Sequence, residues 1–284
     1  MTAVPSWGQP WPAPAKLNLM LRVIGRRADG YHQLQTVFQF LDRCDLITFA
    51  PRPAGRIERC NDLPGVAPER DLVIRAARLL QAAAGAHQGV AIDVDKRLPL
   101  GGGLGGGSSD AATTLVALDH LWGTGLGVDA LAELGLRLGA DVPVFVRGRA
   151  AWGEGVGEAL VPIALPQPWY LVLVPGCEVS TAAVFGEPDL TRDSPPITIE
   201  SFLAGEARND CLAVVARRYP AVAAALEWLS DWGAARLTGT GGCVFASFAT
   251  ADAAQAALAQ VPAEYSAFVA RGLNRSPLRE PLPG

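Results

Sequence analysis

Histidine is scarce in this sequence: His32, His87 and His120 lie in three separate segments. A metal centre built on imidazoles is therefore not expected. The five cysteines, Cys44, Cys60, Cys177, Cys211 and Cys243, are odd in number and none is paired in a C-x-x-C spacing. That pattern argues against a disulfide framework or structural zinc and points to a reducing, cytoplasmic setting. Runs of Lys and Arg are also missing, and the net charge is −4. Without a basic face to neutralise a phosphate backbone, no nucleic-acid partner is expected, while a small anionic ligand stays open. The longer apolar runs, such as 169–175, are of strand length, so no membrane span is expected. The opening segment, 1–14, has neither the basic start nor the apolar centre of a signal peptide, and its Trp and Pro content reads as a frayed or extended lead-in.

What is present is a chain of 284 residues, 50% hydrophobic and 18% charged, the balance of a globular protein with one large or two modest cores. Two closely associated domains are expected, 1–165 and 166–284, with the change placed at the prolines around Pro166. Residues 15–24 and 35–41 read as a hairpin turning near Gly25 to Gly30, and 45–50 as a further strand. A helix is predicted over 72–84 with Leu72, Ala76, Leu79, Leu80 and Ala83 on one stripe. A strand at 90–95, helices at 110–121 and 129–138, and strands at 144–146 and 169–174 follow. The second half reads as helices 211–218 and 221–232, a strand region 235–248 with a glycine turn, a helix 252–260 and a strand 266–273. The fold class is α+β.

Between the strand at 90–95 and the helix at 110–121 lies Pro99-Leu100-Gly101-Gly102-Gly103-Leu104-Gly105-Gly106-Gly107-Ser108-Ser109, with six glycines in the nine residues from Gly101. Unobstructed backbone N–H groups at that density can converge on an anion, and the helix that follows adds its dipole and orphan donors. Ser108, Ser109 and Asp110 are N-cap types, and a serine hydroxyl there can also meet a phosphate oxygen or Mg²⁺. Two familiar phosphate motifs do not apply. Gly101-x-Gly103-x-x-Gly106 matches a dinucleotide fingerprint literally, yet a helix at 129–138 stands where that fingerprint needs a strand. A Walker A loop needs Lys where this chain has Gly107, so a cation must come from elsewhere.

With this loop in view, the sequence resembles the GHMP kinases, whose central motif is a proline, a glycine-rich loop and two serines. Five segments carry the likeness: Pro14-Ala-Lys-Leu-Asn-Leu19, Arg27-Ala-Asp-Gly-Tyr-His32, Leu98 to Asp110, Leu138-Gly-Ala-Asp-Val-Pro-Val-Phe145 and Leu237-Thr-Gly-Thr-Gly-Gly242. They look like the branch of the family that phosphorylates a cytidyl-diphosphate-linked methylerythritol on the non-mevalonate route to isoprenoids. The resemblance implies a two-domain fold, with a ribosomal-protein-S5-like N-terminal domain and a ferredoxin-like C-terminal one. It implies ATP and Mg²⁺ as cofactors, a small cytidyl diphosphate substrate, and a monomer or weak homodimer.

The candidate residues divide accordingly. Lys16 sits in an apolar strand, where a cation either reaches solvent from an edge or is held by a partner. Asp141 is either a turn or capping carboxylate or part of a site. The resemblance makes them the catalytic pair, the lysine stabilising charge and the aspartate accepting a proton. It makes Pro99 to Ser109 the ATP loop, with Leu72, Asp71 and Lys96 lining the adenosine end and the ligands of any metal unspecified. Asn18 is expected to bond the acceptor hydroxyls or Asp141. Tyr31 and His32 read either as a surface pair at a hairpin end or, by the resemblance, as cytidine contacts opposed by Phe185 beside Thr181. The glycine turn with Gly239, Thr240 and Gly241 is either a tight connection or a cover over the ligand. Homoserine kinase is the nearest enzyme alternative, but its substrate has no nucleobase for the Tyr31-His32 pair. A non-catalytic nucleotide binder would have lost Lys16 and Asp141.

Overall fold

Two long antiparallel strands, β1 (Pro10–Arg26) and β2 (His32–Arg52), form the spine of a computed structural model that describes residues 4–28, 30–53, 55–61, 66–67 and 69–279. After them come β3 (Ile57–Arg59), α1 (Leu72–Ala84), β4 (Gly89–Asp95), α2 (Gly106–Trp122), α3 (Gly127–Leu136) and α4 (Val142–Arg147). Then follow β5 (Ala151–Glu154), β6 (Ala159–Pro162), β7 (Trp169–Val174), α5 (Thr181–Gly186), α6 (Ile199–Leu203), α7 (Leu212–Arg218) and α8 (Pro220–Ser230). The chain closes with β8 (Arg236–Leu237), β9 (Val244–Phe248), α9 (Ala251–Leu258) and β10 (Ser266–Leu273). The sheet runs β3-β4-β2-β10-β7-β9-β8, with β1 and β5 also paired to β2 and β6 to β5. The two halves of the chain meet in this sheet, where Gly272 and Leu273 of β10 face Leu41 and Phe40 of β2.

Three apolar clusters hold the layers together. One packs α1 to α4 on β2 and β4 around Trp11, Phe40, Phe49, Leu115 and Phe145. The second joins the halves through Leu17, Met20, Val37, Leu104, Tyr170 and Phe245, and the third lies under α7, α8 and α9 around Leu171, Val215, Val244 and Leu229.

Several expectations need correcting. From Pro10 on, the lead-in is part of a strand. Pro10, Pro12 and Pro14 alternate, so their missing N–H donors all fall on one edge while Trp11 and Ala13 are fully buried. The strands predicted at 35–41 and 45–50 are one continuous β2. Of the predicted turn, Asp29 lies outside the described residues. In α1 the buried stripe is Val73, Ile74, Ala76, Ala77 and Leu80, one position round from the predicted one, and Ala83 is exposed. Residues 144–146 are helix, not strand: Pro143 in the first turn presets helical φ for α4. The serines do not cap α2, because the helix begins at Gly106 with Gly105 as its N-cap.

Candidate active site

The glycine loop is wedged between the two halves. Its entrance is fixed by Asp45, fully buried in β2, which accepts the N–H of Arg97 at 2.5 Å and of Leu98 at 2.7 Å. The Lys96 ammonium bonds the same Asp45 and, at 2.8 Å, Asp110 of α2, so one cation ties both ends of the loop. Burial pushes the Asp110 carboxyl up to about 7, Lys96 acting against the shift and the Asp45 charge adding to it. Within the loop, Gly103 (φ 77°) and Gly105 (φ 72°) are left-handed and hemmed in. A Cβ at Gly103 would stand 2.4 Å from the Thr238 carbonyl, and one at Gly105 would stand 2.8 Å from the Phe145 ring. Only glycine fits there. Because α2 starts at Gly106, the orphan N–H groups of Gly106, Gly107 and Ser108 stand at the mouth of the cavity these residues line.

β1 delivers Lys16 and Asn18 to the same cavity. Alternation puts these two on one face and Leu17 in the core on the other; between register breaks at 14/16 and 18/20, Lys16 and Asn18 stay opposite Phe40 and Phe38 of β2 with their N–H groups turned to other partners. The Lys16 N–H then donates to the Leu104 carbonyl at 2.9 Å and that of Asn18 to Thr238 Oγ1 at 3.0 Å. The Lys16 side chain is buried. Its ammonium donates to Asn18 Oδ1 and to the Gly103 carbonyl at 3.0 Å, and stands 3.2 Å from Asp141 Oδ2. Asn18 is thereby spent on the lysine: its amide donates to Thr36 Oγ1 at 2.8 Å, so it orients Lys16 and does not bond Asp141. Asp141 occupies the N-cap position of α4, yet its side chain makes no capping bond and stays about one-third exposed, open to the cavity.

The cavity encloses about 640 Å³ and takes in Leu72, Lys96, Pro99 to Ser108, Gly239, Thr240, Thr181 and Phe185 as well. Ser109 is fully buried behind it, its hydroxyl unpartnered. Asp71 does not line this cavity; it caps α1 and pairs with Arg59 at 2.6 Å. A Cβ on Gly241 would meet Val215 and Leu237, which places that glycine in packing. Thr181 and Thr240 share a hydrogen bond of 2.8 Å across the cavity. A second hollow of about 500 Å³ continues from the first through Leu34, Ala140, Val156, Thr181 and Phe185, and adds Tyr31 and His32. Tyr31 is 65% exposed, whereas the His32 ring already stacks on Phe185, 4.8 Å between centroids. Sequence reading missed Asp45, Thr36 and Arg192, and gave Thr238, inside the quoted 237–242 motif, no role. Asp110 stood inside a quoted motif, and only its spacing from Lys96 across the loop hinted at a role.

A glycine loop opening a helix over a buried lysine and a carboxylate, set between these two halves, defines a GHMP kinase. The family models for "GHMP kinases N terminal domain" and "GHMP kinases C terminal" match residues 71–149 and 198–267. The protein named 4-diphosphocytidyl-2-C-methyl-D-erythritol kinase in Halorhodospira halophila is 63% identical over 271 residues, covering 94% of either chain. That of Nitrosococcus oceani is 59% identical, covering 96% of this chain and 97% of its own. A crystal structure of 4-(cytidine 5'-diphospho)-2C-methyl-D-erythritol kinase superposes with a TM-score of 0.81 at 34% identity, over 93% of this chain and 99% of that one. The chain belongs to the 4-diphosphocytidyl-2-C-methyl-D-erythritol kinase family. It is a phosphotransferase, and the kinase family implies ATP as its donor. No helix among the described residues is long and apolar enough to cross a membrane.

Proposed function

We propose that the chain transfers the γ-phosphoryl group of ATP to the 2-hydroxyl of 4-diphosphocytidyl-2-C-methyl-D-erythritol. The observation that carries this is the continuity of the two hollows: the phosphate loop and the Lys16–Asp141 pair at one end, the His32–Phe185 stack and Tyr31 at the other. In this reading the first half, 1–165, holds the nucleotide and 166–284 closes the site. The enzyme works in the cytoplasm as a monomer or weak homodimer.

The N–H groups of Gly101 to Ser108 would hold the phosphates of ATP, and Leu72 and Lys96 would line its adenosine end. The acceptor alcohol is tertiary and hindered, so alignment with the γ-phosphorus supplies much of the catalysis. In a loose transition state the hydroxyl loses its proton late, and an ordinary carboxylate suffices. Asp141 accepts that proton. Lys16, fixed by Asn18 and the Gly103 carbonyl, neutralises charge on the transferring oxygens without reorganising. Among the described residues no cluster of three His, Cys, Asp or Glu could hold a metal unaided. The Ser108 hydroxyl and the Asp141 carboxylate are hard oxygen donors of the type Mg²⁺ takes, so the site fits a metal arriving with the nucleotide. Once bound it would neutralise phosphate charge.

The test is ADP release with Mg-ATP, comparing the cytidyl substrate, the same alcohol without its cytidyl group, and homoserine. Turnover restricted to the cytidyl form is expected. Turnover with homoserine, or with none of the three, would overturn the acceptor assignment.

A further inference from the structure

The His32 ring is held in one protonation geometry by Arg192, which stands 160 positions away in the chain. Arg192 Nε donates to His32 Nε2 at 3.1 Å. The rest of the guanidinium donates to the carbonyls of Phe185 at 2.8 Å, Glu187 at 2.6 Å, Leu190 at 3.0 Å and Pro188 at 3.4 Å. The carboxylates of Glu187 and Asp189 are engaged elsewhere: Glu187 pairs with Arg217 and Arg218, and Asp189 with Arg217. A guanidinium has donors and no acceptor. The nitrogen that receives its N–H must therefore carry a lone pair, and in a neutral imidazole the proton then sits on Nδ1. Burial, then the charges of Arg192 and of Arg26 at the end of β1, lower the His32 pKa, which keeps the ring neutral near pH 7. One face is covered by Phe185, whose carbonyl the same guanidinium anchors.

We propose that Arg192 is a positioning residue that locks His32 as the Nδ1–H tautomer and so sets the base preference of the second hollow. This rests on the reading of that hollow as the nucleobase site. With Nε2 occupied, the Nδ1–H is the polar edge His32 has left for a ligand, and it can only donate. At ring position 3 cytosine answers with an acceptor, whereas uracil presents an N–H; the O2 acceptor is common to both, so the choice is made where the Nδ1–H meets N3. Two donors facing one another leave both unpaired, and a site built around a hydrogen bond rejects the mismatched analogue strongly. Arg192 thus selects cytosine over uracil without touching the base.

Two substitutions separate this role from a merely structural one. Arg192→Lys keeps a donor-only group, while Arg192→Gln puts an amide there that can donate or accept. The first measurement is the ¹⁵N spectrum of imidazole-labelled, substrate-free protein at pH 7.5, with His32→Gln assigning the signals. Wild type and Arg192→Lys should show a protonated Nδ1 and a bare Nε2, and Arg192→Gln should gain the Nε2–H form. The second is kcat/KM for the cytidyl substrate against its uridyl counterpart. The preference should fall about tenfold in Arg192→Gln, be retained in Arg192→Lys, and leave the KM for ATP unchanged. A wild-type His32 in the Nε2–H form would overturn the lock. Equal loss of preference in both variants, with the tautomer unmoved, would reduce Arg192 to a brace for the loop. The spectrum needs no substrate: a lock seen there with no turnover of the cytidyl compound would refute the nucleobase reading and leave the tautomer assignment standing.

Discussion

One methyl group placed at two points of the glycine loop should have opposite effects. At Gly103 the backbone is left-handed, which costs a residue with a Cβ about 1 kcal/mol. The added carbon would also stand 2.4 Å from the Thr238 carbonyl oxygen and 2.9 Å from that of Gly241. Neither is the end of a flexible side chain, so the loop and the 238–241 turn must part, an overpacking cost of about 2 kcal/mol. The sum is about 3 kcal/mol, and at about 2 °C per kcal/mol for a chain of this length the expected fall in Tm is about 6 °C. Activity should suffer further, because the Gly103 carbonyl receives both the Lys16 ammonium and Thr238 Oγ1. At Gly107 the backbone is helical and a Cβ meets only Leu72 Cδ1, at 3.6 Å. Gly107→Ala should raise stability by about 0.5 kcal/mol through the unfolded chain. Differential scanning calorimetry and initial rates at varied ATP check both. A Gly103→Ala protein with the parent's Tm and KM for ATP would refute the packing argument.

Other consequences are as concrete. The Asp110 carboxyl titrates near 7 when folded against 3.8 as its ordinary value, so the folded form binds the extra proton more tightly and its contribution to stability falls as pH rises from about 4 to about 7. Asp110→Asn removes that loss, and its Tm advantage over the parent should widen between pH 5 and pH 8; a pH-independent difference would count against the assignment. The five cysteines are free. Exposed Cys60 should react with an aromatic disulfide reagent in the native state, while Cys211 and Cys243, buried with thiols pushed up to about 12, should react only on unfolding. Rapid native labelling of all five would contradict this burial. Asp45→Asn should weaken ATP binding more than kcat, since it loosens Lys96 and the entrance of the loop; isothermal titration with ATP measures it, and unaltered affinity would show that the anchor is dispensable.

Much of the frame was legible because local chemistry decided it. Helix α1 follows from its apolar periodicity, and β7 from a short continuous apolar run. The loop stood out as a candidate phosphate cradle through its glycine density and its place between a strand and a helix. Local signals failed where another principle prevailed. Alternating prolines hid the opening of β1, 10–14, and the short apolar run 144–146 fits a strand or a helix until Pro143 and the packing of α4 decide. Lys16 and Asp141 stayed ambiguous because only the fold brings them to 3.2 Å. Asp45 and Arg192 could not be read at all: their partners Lys96 and His32 lie 51 and 160 positions away, and no spacing rule spans that distance.

In the proposed function Asp141 and Lys16 direct the γ-phosphoryl group to one hydroxyl of the cytidyl substrate. The most direct measurement is ³¹P and ¹³C NMR of the product formed by wild type and by Asp141→Asn. The account predicts one new phosphomonoester on the 2-hydroxyl carbon, formed with one ADP. It predicts a rate lower by about 10² to 10⁴ in Asp141→Asn, whose fold survives because Lys16 keeps Asn18 and the Gly103 carbonyl. Phosphate on another hydroxyl, or an Asp141→Asn protein as fast as its parent, would contradict it.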